Sequence, residues 1–153
     1  MDISTSQQIL RDDYLAKNHP RFAFIGFDET DHFGHEGQYD AYLHSANQLD
    51  GYLHDLWNFI QTDPQYKDNT TLIITCDHGR GPAAAQMWRH HGEGIVAADK
   101  IWLAAIGPGI KNNGVLKSGK FYQKQIAATI ATLFGKKFYE GKKIGKPIDE
   151  ILK

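Results

Sequence analysis

The sequence predicts an α/β fold built on a mostly parallel sheet. Apolar runs of strand length occupy residues 22–27, 70–76 and 101–106, and a long helical repeat over residues 38–60 separates the first two. Polar or glycine-rich stretches close each run. Strands separated by long helices favour layered packing with right-handed crossovers. In such sheets ligands collect beyond the carboxyl ends of the strands.

A first helix is expected to run from Ser4 or Ser6, either of which can cap it, to Lys17, with Ile9, Leu10, Tyr14 and Leu15 on its apolar side. Asn18-His19-Pro20 ends it, because proline disfavours helical geometry in the residue before it. Residues 22–27 read as a buried strand that delivers Asp28, Asp31 and His35 to the loop at its end. Tyr39, Tyr42, Ala46, Leu49, Leu53, Leu56 and Ile60 recur at the spacing of one packed helix face. Gly51 lowers local propensity without breaking that pattern.

A polar connection over residues 63–69 leads to the second strand, where Thr71, Ile73, Ile74 and Thr75 are β-branched. Cys76 reads there as a small buried hydrophobe. Residues 79–94, rich in Gly, His and Arg and containing Pro82, fit no regular element and have the length of a functional loop. Residues 101–106 form the third strand, stopped by Gly107-Pro108-Gly109. A helix over residues 121–134 follows, and then a lysine-rich tail.

A chain of 153 residues is expected to form a single domain, residues 1–153, large enough to bury about 68–70% of its unfolded surface. The only cysteine excludes an internal disulfide framework, and no CxxC pair is present. No apolar stretch reaches the length of a membrane span, so no membrane partner is expected. The start lacks a basic region followed by an apolar core, so no signal peptide is expected and a cytoplasmic location follows, unless an export signal lies outside this sequence. Residues 1–98 hold 6 of the 17 basic and 14 of the 18 acidic side chains, so the lysines crowd into the C-terminal third. They lack a regular aromatic interleave, and no nucleic-acid partner is expected. Neither a G-x-S-x-G elbow nor a G-x-x-x-x-G-K-[ST] loop occurs, which removes serine-hydrolase chemistry and that route to ATP.

The chemistry concentrates in three Asp/His elements. Asp31 and His35 stand four residues apart, so a tight turn or one helical turn brings both to one cation, with Gly34 letting backbone pass close by. The alternative makes Asp31 a helix cap and His35 a packed side chain. Asp77-His78-Gly79 ends the second strand, where a buried carboxylate demands a cation or several donors. His90 and His91 form the third element, and residue types alone do not say which of the two ligates. Asp28 can ligate or accept from a ligating imidazole, the latter being preferred; Arg80 and Arg89 are loop candidates for anion contact, and His32 faces elsewhere. Carboxylate plus imidazole suits zinc, manganese or iron better than calcium.

With Asp31-x-x-Gly34-His35, Asp77-His78-Gly79 and His91-Gly92 in this order, residues 22–110 resemble the metal-binding C-terminal part of the alkaline phosphatase superfamily. That superfamily includes phosphodiesterases, cofactor-independent phosphoglycerate mutases and sulfatases. The resemblance implies a partial three-layer α/β/α domain, incomplete relative to the intact one. It implies that Asp31, His35 and His91 hold one zinc or manganese ion, and that Asp77 and His78 belong to a second. The family's second metal also takes an Asp from an early strand and a Ser or Thr nucleophile. Neither has a counterpart here, so no catalytic residue is assigned. The chain therefore reads as a fragment of a metal-dependent phosphoric-ester hydrolase, acting in its intact form on a phosphate- or sulfate-ester small molecule. Partial or no metal occupancy, little or no hydrolysis by the isolated chain, and self-association through exposed sheet surface are expected. The rival readings are a non-catalytic metal-binding or assembly module and a phosphoglycerate mutase-like or sulfatase-like enzyme.

Overall fold

The computed structural model describes residues 9–82, 87–138 and 144–153. The chain divides into two compact units. The first comprises residues 1–70 and 78–101, and the second residues 71–77 and 102–153. The proposed caps Ser4 and Ser6 lie outside the described residues.

The first unit is helical. A π-helical segment, Ile9–Leu15, runs into a short helix α1, Ala16–Asn18. His19 stops it in the left-handed region at φ 44°, just before Pro20, as the sequence predicts. Leu15 is buried, and its carbonyl accepts the Tyr66 hydroxyl at 2.9 Å.

Helix α2, Glu29–Glu36, and helix α3, Tyr39–Thr62, pack against one another. Gly37 ends α2 at φ 74°, where its N–H donates to the Gly34 carbonyl and the Gln38 N–H to the Phe33 carbonyl. This paired stop favours glycine, which alone adopts the left-handed region without a Cβ penalty. Helix α3 covers the predicted span, but its buried stripe is Ser45, Tyr52, Leu56 and Ile60, while Tyr39 and Ala46 are exposed. Phe27 meets the Tyr52 ring edge-on, with centroids 5.4 Å apart.

Two sequence expectations fail here. Residues 22–27 form no strand, and Phe22 and Phe24 are 57% and 86% exposed. An apolar run specifies extended chain only if a neighbouring strand takes up its backbone groups. Among the described residues no backbone hydrogen bond does so.

The second failure is the sheet, which is neither mostly parallel nor the centre of a three-layer sandwich. In the second unit β1, Leu72–Thr75, pairs antiparallel with β2, Leu103–Ile106, in the register Leu72↔Ile106 to Thr75↔Leu103. These are the only strands of a mixed α/β fold among the described residues. A parallel pair needs a crossover, usually a helix. Between β1 and β2 the described chain carries only a 3₁₀ turn, Met87–Arg89. The half-buried/exposed alternation along β2 is that of a sheet covered on one face, not a strand buried on both.

The Thr75 hydroxyl donates to the Trp102 carbonyl at 2.8 Å, fixing the open end of the pair. A 3₁₀ turn, Gln123–Gln125, leads into helix α4, Ile126–Leu133, within the predicted 121–134 span. Gly135, at φ 65°, closes α4 with the same paired stop. Thr129 is buried; its hydroxyl donates to the Gln125 carbonyl and accepts the Ile148 N–H at 3.0 Å.

Candidate metal centre

Asp31 falls in the first turn of α2 and His35 in its last, so both project from one face one turn apart. Asp28, not Asp31, stands at the N-cap, which removes the reading of Asp31 as a cap. His32 points elsewhere, toward Glu36 at 3.3 Å. The third donor arrives from the loop. The 3₁₀ turn Met87–Arg89 is anchored by Trp88, whose ring meets Tyr39 and Tyr42 of α3 edge-on, with centroids 5.4 and 5.6 Å away. Two residues beyond it, His91 comes to the face of α2 while His90 is exposed. That separates two histidines whose residue types could not.

His35 Nε2 and His91 Nε2 are 2.9 Å apart. Asp31 Oδ2 lies 3.4 Å from the first, and Oδ1 3.5 Å from the second. Around a tetrahedral ion with bonds of about 2.0–2.2 Å, neighbouring donors stand about 3.3–3.5 Å apart. The Asp31–His35 separation matches that spacing, the two imidazole nitrogens stand closer than it, and one donor atom from each of the three side chains lies within 4.8 Å of the others. One carboxylate and two imidazoles, half-buried or exposed at a surface, make a cluster capable of coordinating one divalent ion.

His78 joins the same cluster. Its ring stacks on His91 at 3.6 Å with 9° between planes, and its Nε2 lies 3.4 Å from Asp31 Oδ1. Its Nδ1 is 3.1 Å from the Gly79 carbonyl, which a protonated Nδ1 would reach as donor. Asp77 belongs to the second unit, where its carbonyl accepts from Gln123 Nε2 at 3.4 Å.

Sequence reasoning missed the part played by the two arginines. Arg80, one of two loop candidates for anion contact, has a side chain only 12% exposed. Its guanidinium is in direct contact with Asp31 Oδ1, and it donates to the Asp31 carbonyl at 2.9 Å and the Trp88 carbonyl at 3.1 Å. Arg89 donates through Nε and Nη2 to the His35 carbonyl at 3.0 and 2.7 Å. It thereby caps the C-terminal end of α2, where the helix dipole favours a cation. A signal existed in the sequence, namely a glycine inside the donor helix. A Cβ at Gly34 would lie 2.5–2.8 Å from the Arg80 guanidinium, so Gly34 makes room for that side chain rather than for backbone. Gly79 is the residue that admits backbone: a Cβ there would meet the Ala97 and Lys100 carbonyl oxygens at 2.6 Å.

Among the described residues, no helix is long and apolar enough to cross a membrane. No solved structure matches the chain. Over 65 residues it is 36% identical to a 2,3-bisphosphoglycerate-independent phosphoglycerate mutase of Gracilaria tenuistipitata var. liui. That match covers 42% of this chain, and the chain spans only 12% of the length of that relative. Residues 4–137 match the Metalloenzyme superfamily, and both this match and the mutase likeness agree with the alkaline phosphatase resemblance read from the motifs. With its match running through both donor segments, the chain belongs to the Metalloenzyme superfamily.

Proposed function

We propose that this chain carries the metal-holding portion of a metal-dependent phosphoric-ester hydrolase, a phosphodiesterase or phosphatase. The single observation that carries the reading is the convergence of Asp31, His35 and His91 from two chain segments, with one donor atom of each within 4.8 Å of the others. A divalent ion held there supplies Lewis-acid polarisation of a phosphoryl oxygen. Asp31 provides the negative charge of the donor set, and the two imidazoles complete it as neutral donors. Zinc and manganese both suit this set. Asp77 and His78 are retained as proposed donors to a second ion. The nucleophile is proposed to come from outside residues 1–153. A second reading, phosphoryl transfer of the phosphoglycerate mutase kind, is favoured by the 65-residue mutase match.

Zinc or manganese binding, followed by titration against a competing chelator, tests the centre. The wild-type chain is expected to bind an ion, and Asp31→Ala or His91→Ala to weaken binding by more than about 100-fold, beyond the usual cost of losing an outer partner. Unchanged binding in both variants would remove the site. Little or no turnover of p-nitrophenyl phosphate is expected of the isolated chain. Metal-dependent turnover would show that this chain suffices for chemistry without a nucleophile from outside it.

A further inference from the structure

The geometry points to Arg80 as the positioning residue of the metal centre, holding Asp31 as a one-oxygen donor and fastening the donor helix to the donor loop. This inference rests on the metal reading above and adds a role that the ligands themselves do not contain. Three of its contacts diverge from one planar group. The guanidinium meets Asp31 Oδ1, the Asp31 main-chain carbonyl in α2, and the Trp88 carbonyl in the turn that precedes His91. Lysine, with a single ammonium, lacks the fork needed to bridge carboxylate and carbonyls in fixed directions.

Arg80 takes Oδ1, which also lies 3.5 Å from His91 Nε2, and this leaves Oδ2, 3.4 Å from His35 Nε2, as the oxygen free of the guanidinium. An ion between the imidazoles is then offered one carboxylate oxygen whose direction is already set. The cost of ordering two chain segments is met before the ion arrives. Gly34 is the other half of the device. It lies within α2, outside the left-handed region, where alanine would ordinarily favour the helix. Only the guanidinium, 2.5–2.8 Å from where a Cβ would stand, gives a reason for glycine.

The test compares wild type, Arg80→Met, Arg80→Lys, Gly34→Ala and the Gly34→Ala/Arg80→Met double variant. Affinity for Co²⁺ is measured by chelator competition, and the visible absorption of the Co²⁺ form reports ligand geometry. Arg80→Met is expected to weaken Co²⁺ binding by about 10–100-fold and to change the Co²⁺ spectrum. Arg80→Lys, which keeps the charge without the fork, is expected to fall short of wild-type affinity. It serves as the working variant should the methionine protein fail to fold. Gly34→Ala is expected to reproduce the loss in the wild-type background and to cause no further loss when Arg80 is already methionine. Wild-type affinity and spectrum in the Arg80 variants would overturn the inference while leaving the metal centre intact. Failure of the wild-type chain to bind Co²⁺, Zn²⁺ or Mn²⁺ would overturn both. Additive losses in the double variant would overturn the pairing of Gly34 with Arg80.

Discussion

Helices α2 and α4 end on the same glycine-based stop, yet the units they belong to are held together differently. In the first unit, long polar side chains and rings span segments far apart in sequence: Arg80 and Arg89 reach α2, and Trp88 sits against Tyr39 and Tyr42. In the second, hydroxyls, amides and a lysine bind main chain: Thr75 to Trp102, Thr71 to Pro108, Thr129 to Gln125 and Ile148, Gln123 to Asp77, Gln125 to Lys146 and Lys111 to Asp149. Reach lets distant donors converge on one point. Those bonds fix backbone, and among the described residues of the second unit no metal-ligand cluster accompanies them.

The sharpest break in that contrast is at Gly79, where the first unit depends on main-chain contact after all. Its N–H donates to the Ala98 carbonyl at 2.8 Å. Gly79→Ala would drive a methyl against two carbonyl oxygens, and a loss of about 3 kcal/mol is expected in denaturant unfolding, at the upper end for overpacking. A neutral result would show that the loop gives way without cost. Next comes Thr129→Val, which strands the buried Ile148 N–H. A loss of about 2 kcal/mol is expected, within the range for an unsatisfied buried donor. If the loss is only that of a surface threonine, hydroxyls do not hold the second unit.

Tyr52 sharpens the comparison from the other side. Its ring is buried, but its hydroxyl has no hydrogen-bond partner among the described residues. Burial pushes its pKa above the usual phenol range, against a smaller opposing pull from Arg11. Below about pH 10 the group is neutral in folded and unfolded chain alike. Above that, the unfolded chain loses this proton first, so the residue's contribution to stability falls as pH rises toward the folded value. Tyr52→Phe is therefore expected to gain about 1 kcal/mol at neutral pH and to flatten the alkaline decline in melting temperature. An unchanged decline would mean that other groups govern it. The smallest effect belongs to Gly51, exposed in α3 with nothing within 4 Å of an added Cβ. Gly51→Ala is expected to raise stability by about 0.8–1 kcal/mol through helix propensity alone.

Periodicity made α3 legible, because a 24-residue helix repeats its apolar positions often enough to outvote one glycine. The four-residue step from Asp31 to His35 was legible for the same reason, since spacing on a helix is spacing in space. Strand direction was not. It depends on how the chain returns from Cys76 to Trp102, through the stretch whose sequence fits no element. The run at 22–27 misled because hydrophobicity signals a wish for cover without saying whether cover exists. Arg80 was unreadable for a different reason: a long flexible side chain has many destinations, and only folded backbone selects among them.

Gly92 follows His91 directly, outside the left-handed region, and nothing lies within 4 Å of an added Cβ. The first unit therefore offers, one peptide bond from a proposed ligand, a position with room for a foreign group. A fluorophore attached there would sit beside the centre without replacing any of its donors, turning ion capture into a change of light.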